Sequence, residues 1–169
     1  MKKGIIFDLD QTLVDSSIAE PYRGKNWGKV NELIPSFILY DGFEAVFDFI
    51  RINEIKVAVV STAVSNYVNN VLNHFSIPHD VIIAYHDVRH RKPNPEAFVK
   101  ALDYLELNTQ EAISFGDRGI DIQASLSAGV DSVACLWGTK EKDIFTTVQR
   151  NYPIGSVDLN RNHSSDVLV

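Results

Sequence analysis

The sequence predicts an α/β fold with a parallel sheet of about five strands and helices on both faces. Short apolar runs of strand length alternate along the chain with longer segments whose apolar residues recur every three or four positions. This alternation favours a parallel sheet, because consecutive parallel strands need a crossover and a helix provides one. The predicted strands are residues 4–7, 55–60, 81–84, 112–115 and 130–137.

The helices between these strands are predicted from helical spacing and from residues that suit helix ends. Asn94 and Pro95 suit an N-cap and the first helical residue. Gly129 stands where a glycine often follows the last turn of a helix. The predicted helices are residues 42–52, 64–75, 94–105, 120–128 and 143–150.

The composition is that of an ordinary globular protein. The 169 residues are 45% hydrophobic and 22% charged, and the formal net charge is −6. This charge predicts no strong attraction to nucleic acid or to anionic membranes. The length predicts one domain, here residues 1–151, followed by a C-terminal tail over residues 152–169.

Cysteine usage and hydropathy both favour a reducing, cytoplasmic location. The single cysteine, Cys135, has no partner for an intramolecular disulfide. Lys2 and Lys3 carry the charge of a signal-peptide start, but Asp8 and Asp10 interrupt the apolar run that follows. No apolar run approaches the length of a membrane-spanning helix. We therefore expect a cytoplasmic protein without a membrane partner.

Polar residues stand at or shortly after the ends of the first four predicted strands. They are Asp8 and Asp10 after the first strand, Ser61 after the second, Lys92 after the third and Asp117 after the fourth. In a parallel sheet the carboxyl ends of the strands meet at one edge, and ligands bind there. An acidic turn after a single strand is ordinary, since Asp is common in turns. Convergence of all these residues on one edge instead predicts a functional site.

Asp8 and Asp10 suit the two acid roles of phosphoryl transfer. A carboxylate can attack phosphorus as a covalent nucleophile, which splits a difficult transfer into two easier steps. We expect Asp8 to attack and form an aspartyl phosphate. Asp10 is expected to protonate the leaving oxygen and then to deprotonate the water that hydrolyses the intermediate.

The acids also predict a cation site. Clustered carboxylates repel one another unless a cation or a proton intervenes, and Mg²⁺ is a hard cation that takes oxygen ligands. Asp121 follows Asp117 by about one helical turn and is expected to face the same side. The expected Mg²⁺ ligands are Asp8, Asp10, Asp117 and Asp121.

A further set of residues is expected to bind the phosphoryl group. Ser61 stands at a strand-to-helix turn, where hydroxyl and backbone N–H groups suit an anion, and Lys92 would balance negative charge. Alone, Ser61 would more often be a helix cap and Lys92 a solvated charge, but their place on the acid edge favours ligand roles. The expected phosphate-binding residues are Leu9, Ser61, Thr62 and Lys92, with supporting roles for Thr12 and Gly116.

Four stretches of the sequence resemble, in order, the four motifs of the haloacid dehalogenase superfamily. They are Asp8–Thr12, Ser61, Lys92–Pro95 and Gly116–Asp121, within about residues 4–140. The resemblance implies a Rossmann-like core, Mg²⁺ dependence and, most often, phosphatase activity. Asp10 favours phosphoryl chemistry, because true dehalogenases of the family lack this second acid. The Lys-Pro-x-Pro form is similar to that of phosphoglycolate-phosphatase-like members.

Residues 13–40 are the least regular part of the chain and are expected to hold a short helix or hairpin. Phosphoglycolate-phosphatase-like members carry a helical cap of many tens of residues at this point, whereas only about residues 15–40 are present here. We therefore expect a missing or vestigial cap, a site open to solvent and a bulky substrate. Basic and aromatic residues of this segment suit a phosphorylated ligand. They are Arg23, Lys25, Trp27 and Lys29.

The predicted function is Mg²⁺-dependent phosphomonoester hydrolysis through an aspartyl phosphate, on a phosphorylated small molecule or macromolecule. The alternatives are a phosphotransferase or phosphomutase on the same scaffold, and a non-catalytic phosphate-binding regulatory module. A mutase must keep its intermediate away from water, which a short flap disfavours. A complete acid set disfavours the regulatory module, since carboxylates unpaired by metal only cost stability. Arg91 and Arg118 flank the motifs and are expected to be mainly surface charges.

Overall fold

The computed structural model of the protein describes residues 1–141 and the backbone of residues 167–168. The main sheet has the order β5-β4-β1-β6-β7-β8, in which the first five strands are parallel and β8 is antiparallel to β7. The predicted fold is therefore confirmed. In chain order the strands are β1 (Gly4–Phe7), β2 (Val14–Asp15), β3 (Ile38–Leu39), β4 (Lys56–Val60), β5 (Val81–Ile83), β6 (Ala112–Gly116), β7 (Asp131–Cys135) and β8 (Val167–Leu168).

Strand β1 lies at the centre of the sheet, between β4 and β6. Its Gly4 is in register with Lys56 on one side and Ala112 on the other. Successive side chains of a strand point to opposite faces, and here Ile6 and Phe7 are both buried. Burial on both faces explains why the strand reads as a continuous apolar run.

The described helices cover the two faces of the sheet. Helices α2 and α3 pack over Phe7 on one face, while α4 and α5 pack over Ile6 on the other. None of the helices in residues 1–141 is long and apolar enough to span a membrane. The helices are α1 (Trp27–Leu33), α2 (Phe43–Ile52), α3 (Ser65–His74), α4 (Glu96–Leu105) and α5 (Gly119–Ser127). The predicted helix 143–150 lies outside the described residues.

Two predicted helix ends can be compared with the structure. Helix α4 begins at Glu96, with Pro95 as its N-cap residue, so the predicted start at Asn94 and Pro95 is one residue early. The Asn94 side chain nevertheless accepts a hydrogen bond from the Glu96 N–H, at 3.0 Å. Gly129 follows α5 with φ of +78°, the left-handed conformation that a glycine adopts without strain.

Residues 13–40, called the flap below, contain both a hairpin and a short helix. Strands β2 and β3 pair antiparallel at its base. Two short 3₁₀ turns and α1 lie between these strands. Asn70 of α3 donates a hydrogen bond to Asn31 of α1, at 2.7 Å, and Val30 is fully buried. The flap therefore packs on α3 beside the carboxyl edge of the sheet.

Candidate active site

The loop after β1 brings the first two acids to the carboxyl edge of the sheet. The Asp8 N–H donates to the Phe115 carbonyl at 2.9 Å, which extends the pairing of β1 with β6. Gln11 then takes a left-handed conformation with φ of +66°, and its N–H donates to the Val14 carbonyl at 2.8 Å. The loop that carries Asp8 and Asp10 is therefore held at both ends, by the hydrogen bond to β6 and by the turn that begins at Gln11.

Three carboxylates meet beside this loop. Asp8, Asp117 and Asp121 each offer an oxygen within 4.8 Å of the others, and Asp117 and Asp121 are only 3% exposed. A Cβ atom at Gly116 would lie 2.4 Å from the Cβ of Asp121, so glycine leaves the room that Asp121 occupies. Thr12 donates to Asp117 at 3.4 Å, a long contact that supports the acid from the loop.

Lys92 enters the same acid cluster from the loop that precedes α4. Its Nζ lies 2.7 Å from Asp8 Oδ1 and 2.5 Å from Asp121 Oδ1, and it donates to the Val60 carbonyl at 3.0 Å. The Lys92 side chain is 2% exposed. A buried ammonium requires such partners, so this lysine is a fixed element of the site.

Burial and neighbouring charges shift the pKa values of Asp8, Asp117 and Lys92. Burial raises the pKa of Asp8 to about 7, against the opposing effect of Lys92. Burial also raises the pKa of Asp117 to about 8, and repulsion from Asp8 and Asp121 adds to it. Burial alone would lower the pKa of Lys92, but Asp121 and Asp8 outweigh it and raise the pKa above its usual range. One ammonium therefore does not neutralise the acids.

The donor chemistry of this cluster fits a hard divalent cation. Carboxylate oxygens are preferred ligands of Mg²⁺, and a dication would stabilise the ionised forms of Asp8 and Asp117, which burial and then mutual repulsion disfavour. Asp8, Asp117 and Asp121 are the residues that could hold it. The predicted fourth acid, Asp10, does not belong to this group of oxygens.

The Asp10 carboxylate is instead engaged by donors from the flap and from α3. Its Oδ1 accepts from Ser16 Oγ at 2.6 Å, from Arg23 Nη2 at 2.5 Å and from the Tyr67 hydroxyl at 2.5 Å. Arg23 also donates to Ser16. Burial raises the pKa of Tyr67, and the Asp10 charge adds to the effect, so the hydroxyl remains a donor. These contacts fix one oxygen of Asp10 and orient its carboxyl group.

Ser61 and Thr62 lie directly after β4, next to Lys92. Ser61 is 7% exposed, and its Oγ accepts a hydrogen bond from the Ala63 N–H at 3.1 Å. Thr62 is exposed at the mouth of the site. Leu9, by contrast, has a fully buried side chain in the core, so only its backbone could meet a ligand.

The clustered residues line one cavity of about 440 Å³, called the acid cavity below. This volume lies within the range of small-molecule sites. Residues of the flap and of the region after β7 form part of its wall, and two of them, Glu20 and Lys140, form an ion pair. The lining residues are Asp8, Asp10, Gln11, Glu20, Arg23, Ser61, Thr62, Lys92, Asp117, Arg118, Asp121, Lys140 and Glu141.

The predicted flap residues are placed differently from one another. Arg23 reaches inward to Asp10, and Trp27 lines a neighbouring cavity that also contains Asp10 and Arg23. Lys29 pairs instead with Glu32 on the exposed face of α1, and Lys25 is exposed. Neither lysine lines the acid cavity or its neighbour.

Sequence reasoning missed the partners of Asp10 and part of the rim. Tyr67 and Ser16 were not predicted as site residues, and Arg118 was assigned mainly to the surface. Arg118 lines the cavity and lies 3.7 Å from Glu141, measured from Nε to Oε1. The position of Tyr67 could have indicated its role. It lies in the first turn of the helix that follows Ser61, so its hydroxyl is near the carboxyl edge of the sheet.

Residues 23–135 match the family model described as haloacid dehalogenase-like hydrolase. This match covers more than half of the 169 residues. The chain belongs to the haloacid dehalogenase-like hydrolase family. The predicted family and the prediction of an enzyme are therefore confirmed.

Curated relatives of this haloacid dehalogenase-like chain include bacterial pyrophosphatases. Pyrophosphatase PpaX from Halalkalibacterium halodurans is 28% identical over 151 residues, covering 88% of this chain and 68% of the relative. Pyrophosphatase PpaX from Bacillus cereus strain G9842 is 30% identical over 137 residues, covering 78% of this chain and 60% of the relative. The chain thus spans only about two thirds of the length of these relatives.

Solved structures share the fold at lower sequence identity. A HAD-superfamily hydrolase from Geobacter sulfurreducens PCA has a TM-score of 0.67 at 23% identity, covering 79% of this chain and 89% of that chain. CbbY from Rhodobacter sphaeroides has a TM-score of 0.70 at 17% identity, covering 84% of this chain and 90% of that chain. These likenesses show the fold, while the roles of individual site residues stay predictions.

Proposed function

We propose that the chain is a Mg²⁺-dependent phosphomonoester hydrolase in which Asp8 is the nucleophile. The observation that carries the proposal is the cluster of Asp8 with Asp117 and Asp121 around Lys92, at the carboxyl edge of the sheet. Family membership supports hydrolysis. The pyrophosphatase names of the relatives support phosphorus chemistry.

In the first step, a carboxylate oxygen of Asp8 forms a bond to phosphorus and the bond from phosphorus to the leaving oxygen breaks. Asp10, which must carry a proton at the start of the cycle, gives that proton to the leaving oxygen, so the leaving group departs as a neutral alcohol. The contacts that Ser16, Arg23 and Tyr67 make to Oδ1 of Asp10 support this role, because they orient the carboxyl group toward the cavity.

In the second step, water attacks the phosphorus of the aspartyl phosphate and the bond to the Asp8 oxygen breaks. Asp10 accepts the proton of the water, which restores its starting state, and inorganic phosphate leaves. Lys92 holds Asp8 in place and supplies positive charge near the transferred group, and Ser61 offers a hydroxyl beside it. A cation held by Asp8, Asp117 and Asp121 would supply further positive charge to the phosphoryl oxygens.

The direct test is hydrolysis of p-nitrophenyl phosphate by the full chain. We expect phosphate release with millimolar Mg²⁺, loss of release in EDTA, and recovery when Mg²⁺ is added back. Asp117→Asn should lose most of the Mg²⁺-dependent rate. The matched control is Asp48→Asn, an exposed acid on α2 that pairs with Arg51.

Two results would contradict this proposal. One is an activity that EDTA leaves intact, which would show that the reaction does not require a metal ion. The other is the absence of phosphate release in Mg²⁺ from a folded protein, which would favour a non-catalytic phosphate-binding module.

A further inference from the structure

A second cavity of about 460 Å³ adjoins the acid cavity. The two cavities share Asp10, Arg23 and Thr62. We call the second one the outer cavity. Its other lining residues are Gly24, Trp27, Ala63, Val64 and Tyr85. The flap thus provides one wall, and the turns after β4 and β5 provide the other.

The outer cavity is aromatic and carries little net charge. Trp27 is partly buried and packs on Tyr67 with ring centroids 5.4 Å apart. Tyr85 is 37% exposed, and the Arg91 guanidinium lies 4.5 Å from its ring centroid. The charged residues that line the cavity, Asp10 and Arg23, are already paired with each other at 2.5 Å.

This inference rests on the proposed function, under which the position of the two cavities indicates where the leaving group lies. Asp10 is the proposed donor of a proton to the leaving oxygen, so that oxygen must lie beside Asp10. Phosphorus lies on the Asp8 side of this oxygen, in the acid cavity. The remainder of the leaving group must then extend away from Asp8, and the outer cavity adjoins the acid cavity on that side, because Asp10 lines both.

We propose that the outer cavity binds a planar aromatic ring of the leaving group, as in a nucleoside monophosphate. Trp27 and Tyr85 line this cavity, and aromatic side chains stack with a base in a way that tolerates many rings. A second phosphate would have to compete with the Asp10 carboxylate for the Arg23 guanidinium, because Arg23 Nη2 is paired with Asp10. This chain should therefore prefer ring-bearing monoesters to pyrophosphate.

The test compares adenosine 5′-monophosphate with ribose 5-phosphate and pyrophosphate. The two sugar phosphates release the same kind of primary alcohol, so a difference between them reports the ring and not the leaving-group chemistry. We expect kcat/KM for adenosine 5′-monophosphate to exceed that for ribose 5-phosphate about tenfold or more, mainly through KM.

Substitutions in the outer cavity test whether it is the source of the preference for adenosine 5′-monophosphate over ribose 5-phosphate. Trp27→Ala should remove most of the ring preference, measured as the ratio of kcat/KM for adenosine 5′-monophosphate to kcat/KM for ribose 5-phosphate. Trp27→Phe keeps a ring and should retain the preference. Tyr85→Ala should weaken it. Tyr104→Ala is the control, because Tyr104 is 70% exposed on α4 and lines neither cavity.

Three results would overturn the inference: equal kcat/KM for the two sugar phosphates, an equal loss for both in Trp27→Ala, or pyrophosphate as the best substrate. If no substrate is hydrolysed in Mg²⁺, the proposed function fails. Binding of the two sugar phosphates, measured by calorimetry, then tests whether the outer cavity binds a ring. Binding of adenosine 5′-monophosphate that exceeds binding of ribose 5-phosphate and depends on Trp27 would support it. Equal or undetectable binding of the two would reject it.

Discussion

The acid cluster and the flap are built in different ways. Lys92 and Asp121 have side chains 2% and 4% exposed and form an ion pair with each other at the carboxyl edge of the sheet. In the rim, Glu20 of the flap and its partner Lys140 have side chains 60% and 61% exposed. Buried, fixed charges suit chemistry, since they need no reorganisation during the reaction. Exposed residues on short elements can vary with little cost to the fold.

This difference implies that the two regions respond differently to substitution. Changes in the acid cluster should alter the rate by large factors and should also alter stability, because like charges are buried there. Changes in the flap should alter selectivity or positioning by smaller factors. The predictions below test this contrast, beginning with the largest expected effect.

Asp8→Asn should lower kcat by at least about 10³-fold, since the amide lacks the anionic oxygen that attacks phosphorus. The same change removes one of three clustered acids. Without Mg²⁺, the melting temperature should therefore equal or exceed that of the wild type. Initial rates and thermal melts of the same preparation check both statements. A near-native rate would reject Asp8 as nucleophile, and a large fall in melting temperature would reject the repulsive cluster.

Asp10→Asn should have an effect that depends on the leaving group. For an alkyl phosphate, which needs a proton on its departing oxygen, the rate should fall about 10²- to 10⁴-fold. For p-nitrophenyl phosphate, whose leaving group needs little protonation, formation of the phosphoenzyme should persist. Single-turnover rates on the two esters make the comparison. Equal losses of rate on the two esters would show that Asp10 is not the general acid.

Stability without metal should fall as pH rises from about 5 to 8.5. The folded-state pKa values of Asp8 and Asp117 are raised from 3.8 to about 7 and about 8, mainly by burial. In that window the folded protein holds more protons than the unfolded chain, so the free energy of unfolding decreases with pH. At roughly 1.4 kcal/mol per pKa unit, the decrease is on the order of a few kcal/mol.

Melting curves in EDTA across this pH range check the sign. Mg²⁺ should raise the melting temperature more at pH 8 than at pH 5.5, because protons compete with the cation for the same carboxylates. Asp117→Asn should flatten the pH dependence. Stability in EDTA that is constant or rises between pH 5.5 and 8.5 would contradict the raised pKa values.

Tyr67→Phe should give the smallest effect, a fall of about three- to tenfold in kcat for an alkyl phosphate with little change in KM. The change removes one of three donors to Asp10 Oδ1 and leaves those of Ser16 and Arg23. The loss on p-nitrophenyl phosphate should be smaller still. A purely structural role would lower both rates equally, so the ratio of the two rates is the measurement.

The sheet and the acid cluster could be predicted because their signals are local. β1 is an apolar run that leads into Asp8, and the expected convergence of Asp8 with Asp117 and Asp121 follows from the common edge of parallel strands. The approach of Lys92 to Asp8 follows from the same edge, whereas the burial of Lys92 has no signal in the sequence, because lysine is usually solvated.

The surroundings of Asp10 could not be predicted in the same way. Tyr67 and Arg23 are 57 and 13 residues away in sequence, and their convergence on one carboxylate oxygen depends on how the flap packs against α3. Strands β2 and β3 have two residues each, too few for a periodic signal. The sequence groups Asp10 with the expected metal ligands because it stands two residues from Asp8, and its position carries no information about these donors.

The central claim, that Asp8 carries the phosphoryl group during turnover, is tested most directly by trapping the intermediate. Asp10→Asn protein is mixed with p-nitrophenyl phosphate and Mg²⁺, quenched in acid, digested and analysed by mass spectrometry. We expect the peptide that contains Asp8 to gain the mass of one phosphoryl group. The same treatment of Asp8→Asn/Asp10→Asn protein should give no modified peptide. A phosphoryl group on another residue, or on the double variant, would contradict the assignment.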